Sequence, residues 1–155
     1  MKMLTTAIAA AVTALGAAGP AAAYSFPPTG TQFHITGPVT LTAPQGSVRC
    51  MAEGGGHNSK RAHTQIHFQF TQPCTSAPYG IVPIGFPWPV RARSATAARI
   101  ANFAFSGQGF GPCGPGHVHV NVGADGAWHI NGPNLPGGCA IKGDLQTNPA
   151  MTIAP

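Results

Sequence analysis

Short runs of alternating apolar and polar residues, separated by glycine and proline, are the strongest constraint on the fold of this chain. Its 155 residues include 21 Gly and 16 Pro, and no segment after residue 23 has a sustained apolar period of 3.6. Period-two alternation places apolar side chains on one face of a strand, and short strands between turn signals are typical of a sandwich or barrel. We therefore expect an all-β fold, a single antiparallel β-sandwich of the Ig-like or Greek-key type.

The local patterns differ in what they predict. Residues 117–122 and 127–131 alternate on either side of Asp125-Gly126, which predicts a β-hairpin. The glycine run 54–56 predicts a mobile loop. Residues 79–89 contain three prolines and are expected to form an extended crossover rather than a central strand.

The aromatic residues divide into two groups by sequence context. Those in the apolar phase of predicted strands are expected in the core: Phe33, Phe68, Phe70, Phe103, Phe105 and Trp128. Phe86, Trp88 and Phe110 instead flank Pro and Gly in predicted loops. If these three side chains are exposed, they form an apolar contact patch. The alternative is that they cover one end of the sandwich.

The four cysteines are Cys50, Cys74, Cys113 and Cys139. An even number in an exported chain predicts two disulfides, and four cysteines allow three pairings. We favour Cys50–Cys74 with Cys113–Cys139, because each pair brackets one strand-rich segment. The wide spacing makes a zinc site or thiol–disulfide catalysis a poor interpretation.

The N-terminus has the order of a secretory signal peptide. Lys2 precedes an apolar run from residue 4 to 18, and Ala21-Ala22-Ala23 offers a small-residue cleavage site. We expect residues 1–23 to be removed and residues 24–155 to form a single all-β domain, extracellular or on the cell surface. The apolar run is shorter than the roughly 20 residues of a stable transmembrane helix, which disfavours a retained anchor.

Ionised residues are scarce, and this limits the classes of function. Only 7% of residues are charged, and the three acids are Glu53, Asp125 and Asp144. With no GxSxG motif, paired carboxylates or phosphate loop, we expect neither an enzyme nor a cofactor. The few Lys and Arg form no large cluster, which disfavours nucleic-acid binding. A surface with so few charges is suited to apolar phases or to copies of itself.

The seven histidines are the remaining candidates for chemistry. His117 and His119 share one face of a predicted strand, as do His63 and His67. Such pairs are weak candidates for zinc or copper ligands. We favour the interpretation that they are polar, solvent-facing residues of the strands.

Several motifs, taken in order, suggest a family. They are TGPVTLT at 36–42, GFPWPV at 85–90, GPCG at 111–114, NLPGGC at 134–139 and NPAMTI at 148–153. In this order the chain resembles the PraB family of bacterial alkane-oxidation activators. The resemblance implies a small secreted protein that promotes growth on alkanes by dispersing or contacting oil, and it carries over no catalytic residues.

Two functions are consistent with these features. The first is a non-enzymatic surface-active protein whose partner is a hydrophobic interface or an alkane. The alternative is a self-associating adhesive, fibre or biofilm-matrix subunit at the bacterial surface, in which residues 24–29 pair with a neighbouring molecule.

Overall fold

The computed structural model describes residues 23–59 and 64–155, and the strands are the regular elements of that part. The predicted signal peptide lies outside the described residues except for Ala23. The strands are β1 (Gln32–Ala43), β2 (Gly46–Asn58), β3 (Thr64–Phe70), β4 (Val82–Ile84), β5 (Trp88–Ala92), β6 (Ala97–Gly107), β7 (Gly111–Val122), β8 (Ala127–Leu135) and β9 (Cys139–Asn148).

Eight of these strands close into an antiparallel barrel. Around the barrel they follow the order β1-β2-β3-β5-β6-β7-β8-β9, and β9 pairs back onto β1. Neighbours in space are thus neighbours along the chain, apart from β4 and the closing pair β9 and β1. That short strand bonds to β6 beyond the point where β5 pairs with it.

The predicted sandwich is therefore wrong, although the all-β class is confirmed. A sandwich has two sheets with separate edges, whereas here the ladders β1–β9 and β6–β7 join all eight strands into one cylinder. Both architectures bury every second residue of each strand, so the same alternation fits either one. Which strands close the ring depends on contacts between distant segments.

Side chains fill the interior of the barrel. Eight strands leave room inside for packed side chains or one small ligand. The largest fully buried side chains include Trp88, Trp128, Phe68, Phe103 and Phe105. Ring centroids of Phe68 and Trp88 lie 5.1 Å apart, and those of Trp88 and Phe103 lie 4.7 Å apart. The aromatic residues expected in the core from strand phase are all buried.

The two ends of the described chain meet and pack against Trp128. Ser25 and Ala154 form a backbone bridge with two hydrogen bonds of 2.9 Å. Phe26 is buried with its ring 5.5 Å from that of Trp128, whose indole N–H donates to the carbonyl of Met151 at 3.1 Å. The segment expected to pair with a neighbouring molecule is instead bonded within the chain.

Two local predictions have opposite outcomes. The hairpin across Asp125-Gly126 is confirmed, because Val122 pairs with Trp128 and the Gly123 N–H donates to the Ala127 carbonyl at 2.7 Å. The glycine run 54–56 is not a loop but the middle of β2. There Gly56 lies opposite Phe33, and any side chain at Gly56 would collide with the Phe33 ring. Glycine is needed so that this ring can pack over the strand.

Both predicted disulfides are confirmed. Cys50 is bonded to Cys74 and Cys113 to Cys139, across 24 and 26 residues of sequence. The first ties the segment after β3 to β2, and the second ties β7 to the start of β9. Closing loops of this length stabilises a fold by about 3 kcal/mol each in the chain-entropy account.

A matched pair of phenylalanines tests how the barrel is stabilised. Phe68 is 1% exposed and contacts three other rings, whereas Phe86 is 49% exposed. We expect Phe68→Ala to lower the free energy of unfolding by about 3–5 kcal/mol and Phe86→Ala by about 1 kcal/mol or less. Urea unfolding with intact disulfides measures both. Equal losses would contradict a core packed around Phe68.

Candidate functional site

Exposed apolar side chains are concentrated at β4 and the turn that follows it. Val82 is 54% exposed, Ile84 43% and Phe86 49%. The other large apolar side chains exposed in the described part are Tyr24 and Met51, which lie elsewhere in the sequence. We call Val82, Ile84 and Phe86 the apolar ridge.

The ridge is presented by a strand with one bonded edge. β4 pairs with β6, where Val82 lies opposite Ser106 and Ile84 opposite Ala104. Because successive side chains of a strand point to opposite faces, Val82 and Ile84 share the outward face. The alternation around Val82 and Ile84 is consistent with a strand. The prolines around these residues instead favoured an extended crossover without a strand.

Buried residues hold the ridge at both ends. Ile81 immediately before β4 is fully buried, and so is Trp88 at the start of β5. The Trp88 indole N–H donates to the carbonyl of Ile84 at 3.0 Å, and the Phe86 ring packs edge-on against the indole at 6.1 Å. These contacts fix the turn between β4 and β5 while its outer side chains remain in solvent.

An apolar cleft lies beside the ridge. Its volume is about 290 Å³, and none of the residues lining it is charged: Gln69, Phe70, Thr75, Ile81, Val82, Pro83 and Phe86. β3 pairs with β5 only from Thr64 to Ile66, so the end of β3 faces β4 across a seam. The cleft occupies this seam.

The Cys50–Cys74 disulfide positions the segment that leads into the ridge. Cys74 is fully buried, and its carbonyl accepts a hydrogen bond from the Ile81 N–H at 2.7 Å. The intervening turn is closed by the Tyr79 N–H, which donates to the Ser76 carbonyl at 2.9 Å. The covalent link to β2 therefore fixes one wall of the cleft.

The three residues proposed from sequence as a contact patch are not all exposed. Phe86 belongs to the ridge, but Trp88 is 0% and Phe110 4% exposed. Phe110 packs against Tyr79 and Phe105 in the core. Trp88 points inward from β5. The flanking prolines disfavoured a strand here, so this inward orientation was not predicted. The ridge therefore contains one of the three proposed residues, together with Val82 and Ile84, which sequence reasoning missed.

The described histidines of the predicted pairs lie on the outer surface of the barrel. His117 and His119 project from β7 and are exposed, as is His67 on β3, while His63 lies outside the described residues. His34 and His67 lie opposite Gly55 from its two sides and line an open cleft of about 820 Å³. Within residues 23–59 and 64–155, no three His, Cys, Asp or Glu side chains are grouped closely enough to hold a metal.

The described part of the chain contains no helix with the length and apolar character required to cross a membrane.

A metal titration tests the histidine pair on β7. His117 and His119 offer two imidazoles, fewer than the three or four protein ligands of a zinc site. We therefore expect one equivalent of Zn²⁺ to leave the histidine NMR signals unshifted, with His129 as an internal reference. A shift that saturates at one equivalent and disappears in His117→Ala/His119→Ala would contradict this expectation.

Comparison with known proteins identifies the family. A sequence model described as alkane oxidation protein activator PraA/PraB-like matches residues 1–155, the whole chain. Searches of curated proteins and of solved structures gave no match. The resemblance inferred from the ordered motifs is thus confirmed, and the chain belongs to the PraA/PraB-like family of alkane oxidation protein activators.

Proposed function

We propose that this protein is secreted and acts without catalysis, as a surface-active protein that promotes contact with alkanes or their emulsification. The observation that carries the proposal is the apolar ridge beside an uncharged cleft on a barrel with few ionised groups. Membership in a family named for activating alkane oxidation supports the choice of alkane as the hydrophobic phase.

The size of the ridge suits reversible adsorption. Burying a large apolar side chain completely is worth about 1.5–3 kcal/mol, so three half-exposed side chains gain on the order of 3 kcal/mol on entering oil. That gain is too small to hold a protein irreversibly at a droplet. It is also small compared with the burial that holds the interior together, so adsorption leaves the barrel folded.

A role as an activator does not require catalytic groups. The three acids lie apart in the fold, with Glu53 on β2, Asp125 in the turn between β7 and β8, and Asp144 on β9. Promoting contact between oil and the cell increases alkane supply to an oxidising enzyme elsewhere. The proposed partner is therefore the hydrophobic interface itself.

The structure gives no specific support to the alternative of a fibre or biofilm-matrix subunit. Closure of the eight-stranded barrel removes the edges of those strands, and β4, which keeps one unpaired edge, is only three residues long. Residues 24–29 are also engaged, through the Ser25–Ala154 bridge and the burial of Phe26. We therefore do not propose that function.

Interfacial tension tests the proposal. We expect the protein to lower hexadecane–water tension, and Val82→Ser/Ile84→Ser/Phe86→Ser to lose most of this effect because the apolar ridge is gone. Met51→Ser, which removes a 43%-exposed apolar side chain from β2, serves as the control and should behave like the wild type. Pendant-drop tensiometry measures all three, with circular dichroism to verify folding.

Two results would contradict the proposal. One is a folded triple variant that lowers the tension as strongly as the wild type. The other is a wild-type protein no more active than an unrelated β-barrel of similar net charge.

A further inference from the structure

Strands β4, β5 and β6 contain Arg91 and Arg99 and no acid, and Glu53 of β2 shares a cleft with Pro87 in the turn before β5. Between Glu53 and Asp125 the sequence contains no Asp or Glu. This stretch includes β4 through β7, on which Arg91 and Arg99 lie. Arg93 follows β5 directly. The net charge of +5 is therefore unevenly distributed over the protein.

Strand pairing brings these cations together. Arg91 lies directly opposite Arg99 in the β5–β6 ladder, and Arg99 lies opposite His119 in the β6–β7 ladder. Residues opposite each other in an antiparallel pair have Cβ atoms about 4.5–5.5 Å apart, and like charges in such positions repel. The pairing therefore places two guanidinium groups side by side on the outer surface.

In the described part of the chain, no carboxylate lies within salt-bridge distance of these arginines. The one contact of that kind there is a histidine–carboxylate pair, His129 and Asp144, at 2.6 Å on β8 and β9. Two other described cations, Arg49 and Lys142, line a cleft that also contains Asp144. Arg91 and Arg93 are exposed and Arg99 is half-buried, so all three can reach a ligand.

The basic group and the apolar ridge lie on the same wall. β4 and β5 both bond to β6, where Ile84 is opposite Ala104 and Arg91 is opposite Arg99. Five residues of regular strand span about 16 Å, and the irregularity at Asn102 in β6 shortens this path, so the ridge lies within about that distance of the arginines along the barrel wall. This distance is similar to the step from the headgroups of a lipid layer into its hydrocarbon core, which is about 15 Å deep per leaflet.

We propose that Arg91, Arg93 and Arg99 bind the anionic headgroups of an amphiphile-covered surface, such as a lipid-coated droplet or a membrane. This inference builds on the proposed function, because it adds a polar partner to the wall that meets the oil. Guanidinium groups bind phosphate and carboxylate through paired hydrogen bonds. Bound in this way, the arginines hold the barrel with the ridge directed into the apolar layer.

A surface fits these features better than a soluble polyanion does. A dissolved polymer could neutralise the arginines, but it would leave Val82, Ile84 and Phe86 in water. An anionic lipid layer can bind the arginines through its headgroups and cover the apolar ridge with its hydrocarbon, because headgroups and hydrocarbon lie at a fixed separation. The partner is thus defined by charge complementarity and by continuity with the ridge.

Vesicle binding tests the inference with the folded protein in its secreted form. We expect binding to vesicles of equal phosphatidylcholine and phosphatidylglycerol, measured by co-sedimentation at low salt, and much weaker binding to phosphatidylcholine alone. Each basic side chain near an anionic surface is worth about a fivefold gain in affinity, so Arg91→Gln/Arg93→Gln/Arg99→Gln should lower the partition coefficient roughly 100-fold. Raising the salt concentration should also weaken wild-type binding.

A matched control separates position from net charge. Arg49→Gln/Lys142→Gln removes two cations from the opposite part of the barrel. We expect it to lower the partition coefficient far less than Arg91→Gln/Arg99→Gln, which removes two of the three arginines. Equal losses in the two variants would overturn the inference. So would a folded triple arginine variant that binds the anionic vesicles as tightly as the wild type.

Two further measurements separate this inference from the proposed function. Dextran sulfate is the soluble probe, and arginine-dependent binding to it without binding to vesicles would overturn the choice of a surface. On bare hexadecane, which has no anionic headgroups, the arginine variant should lower tension like the wild type. The ridge variant could lower the tension of bare hexadecane as much as the wild type, while the arginine variant still binds vesicles more weakly. In that case the proposed function fails and the headgroup site stands.

Discussion

Closure of the strand ladder is the constraint on which the rest of the structure depends. The β1–β9 and β6–β7 pairings turn a succession of hairpins into a cylinder, so its inward side chains form a single core. The aromatic residues then fill the interior, and the described strands share one histidine–carboxylate contact, between His129 and Asp144. The few ionised groups are distributed unevenly, and none of the three acids lies on β4, β5 or β6.

The local elements could be predicted from sequence because they are determined by neighbouring residues. Ile66, Phe68 and Phe70 alternate without interruption, and Asp125-Gly126 supplies the turn chemistry of a hairpin. The disulfide pairing also followed from local reasoning, since each pair encloses one strand-rich segment. The family resemblance rested in the same way on short motifs and their order along the chain.

What could not be predicted depends on contacts between distant segments. The periodicity of the sequence does not show whether the strands close into a ring. A sandwich and a barrel predict the same alternation, and only the pairing partners of β1 and β6 distinguish them. The glycines at 54–56 suggest a loop until the Phe33 ring is seen to occupy the space they leave. The exposure of Phe86 and the burial of Trp88, two residues apart, depend on which side of the β4–β5 turn faces the interior.

The hydrogen bond from the Trp88 indole to the Ile84 carbonyl links the outermost strand to the deepest part of the core. Moving β4 away from the barrel wall must also break this hydrogen bond. The outer apolar side chains are therefore tied as one unit to the barrel wall. On the function proposed above, the protein would meet a liquid boundary as a rigid body rather than as a chain that unfolds there.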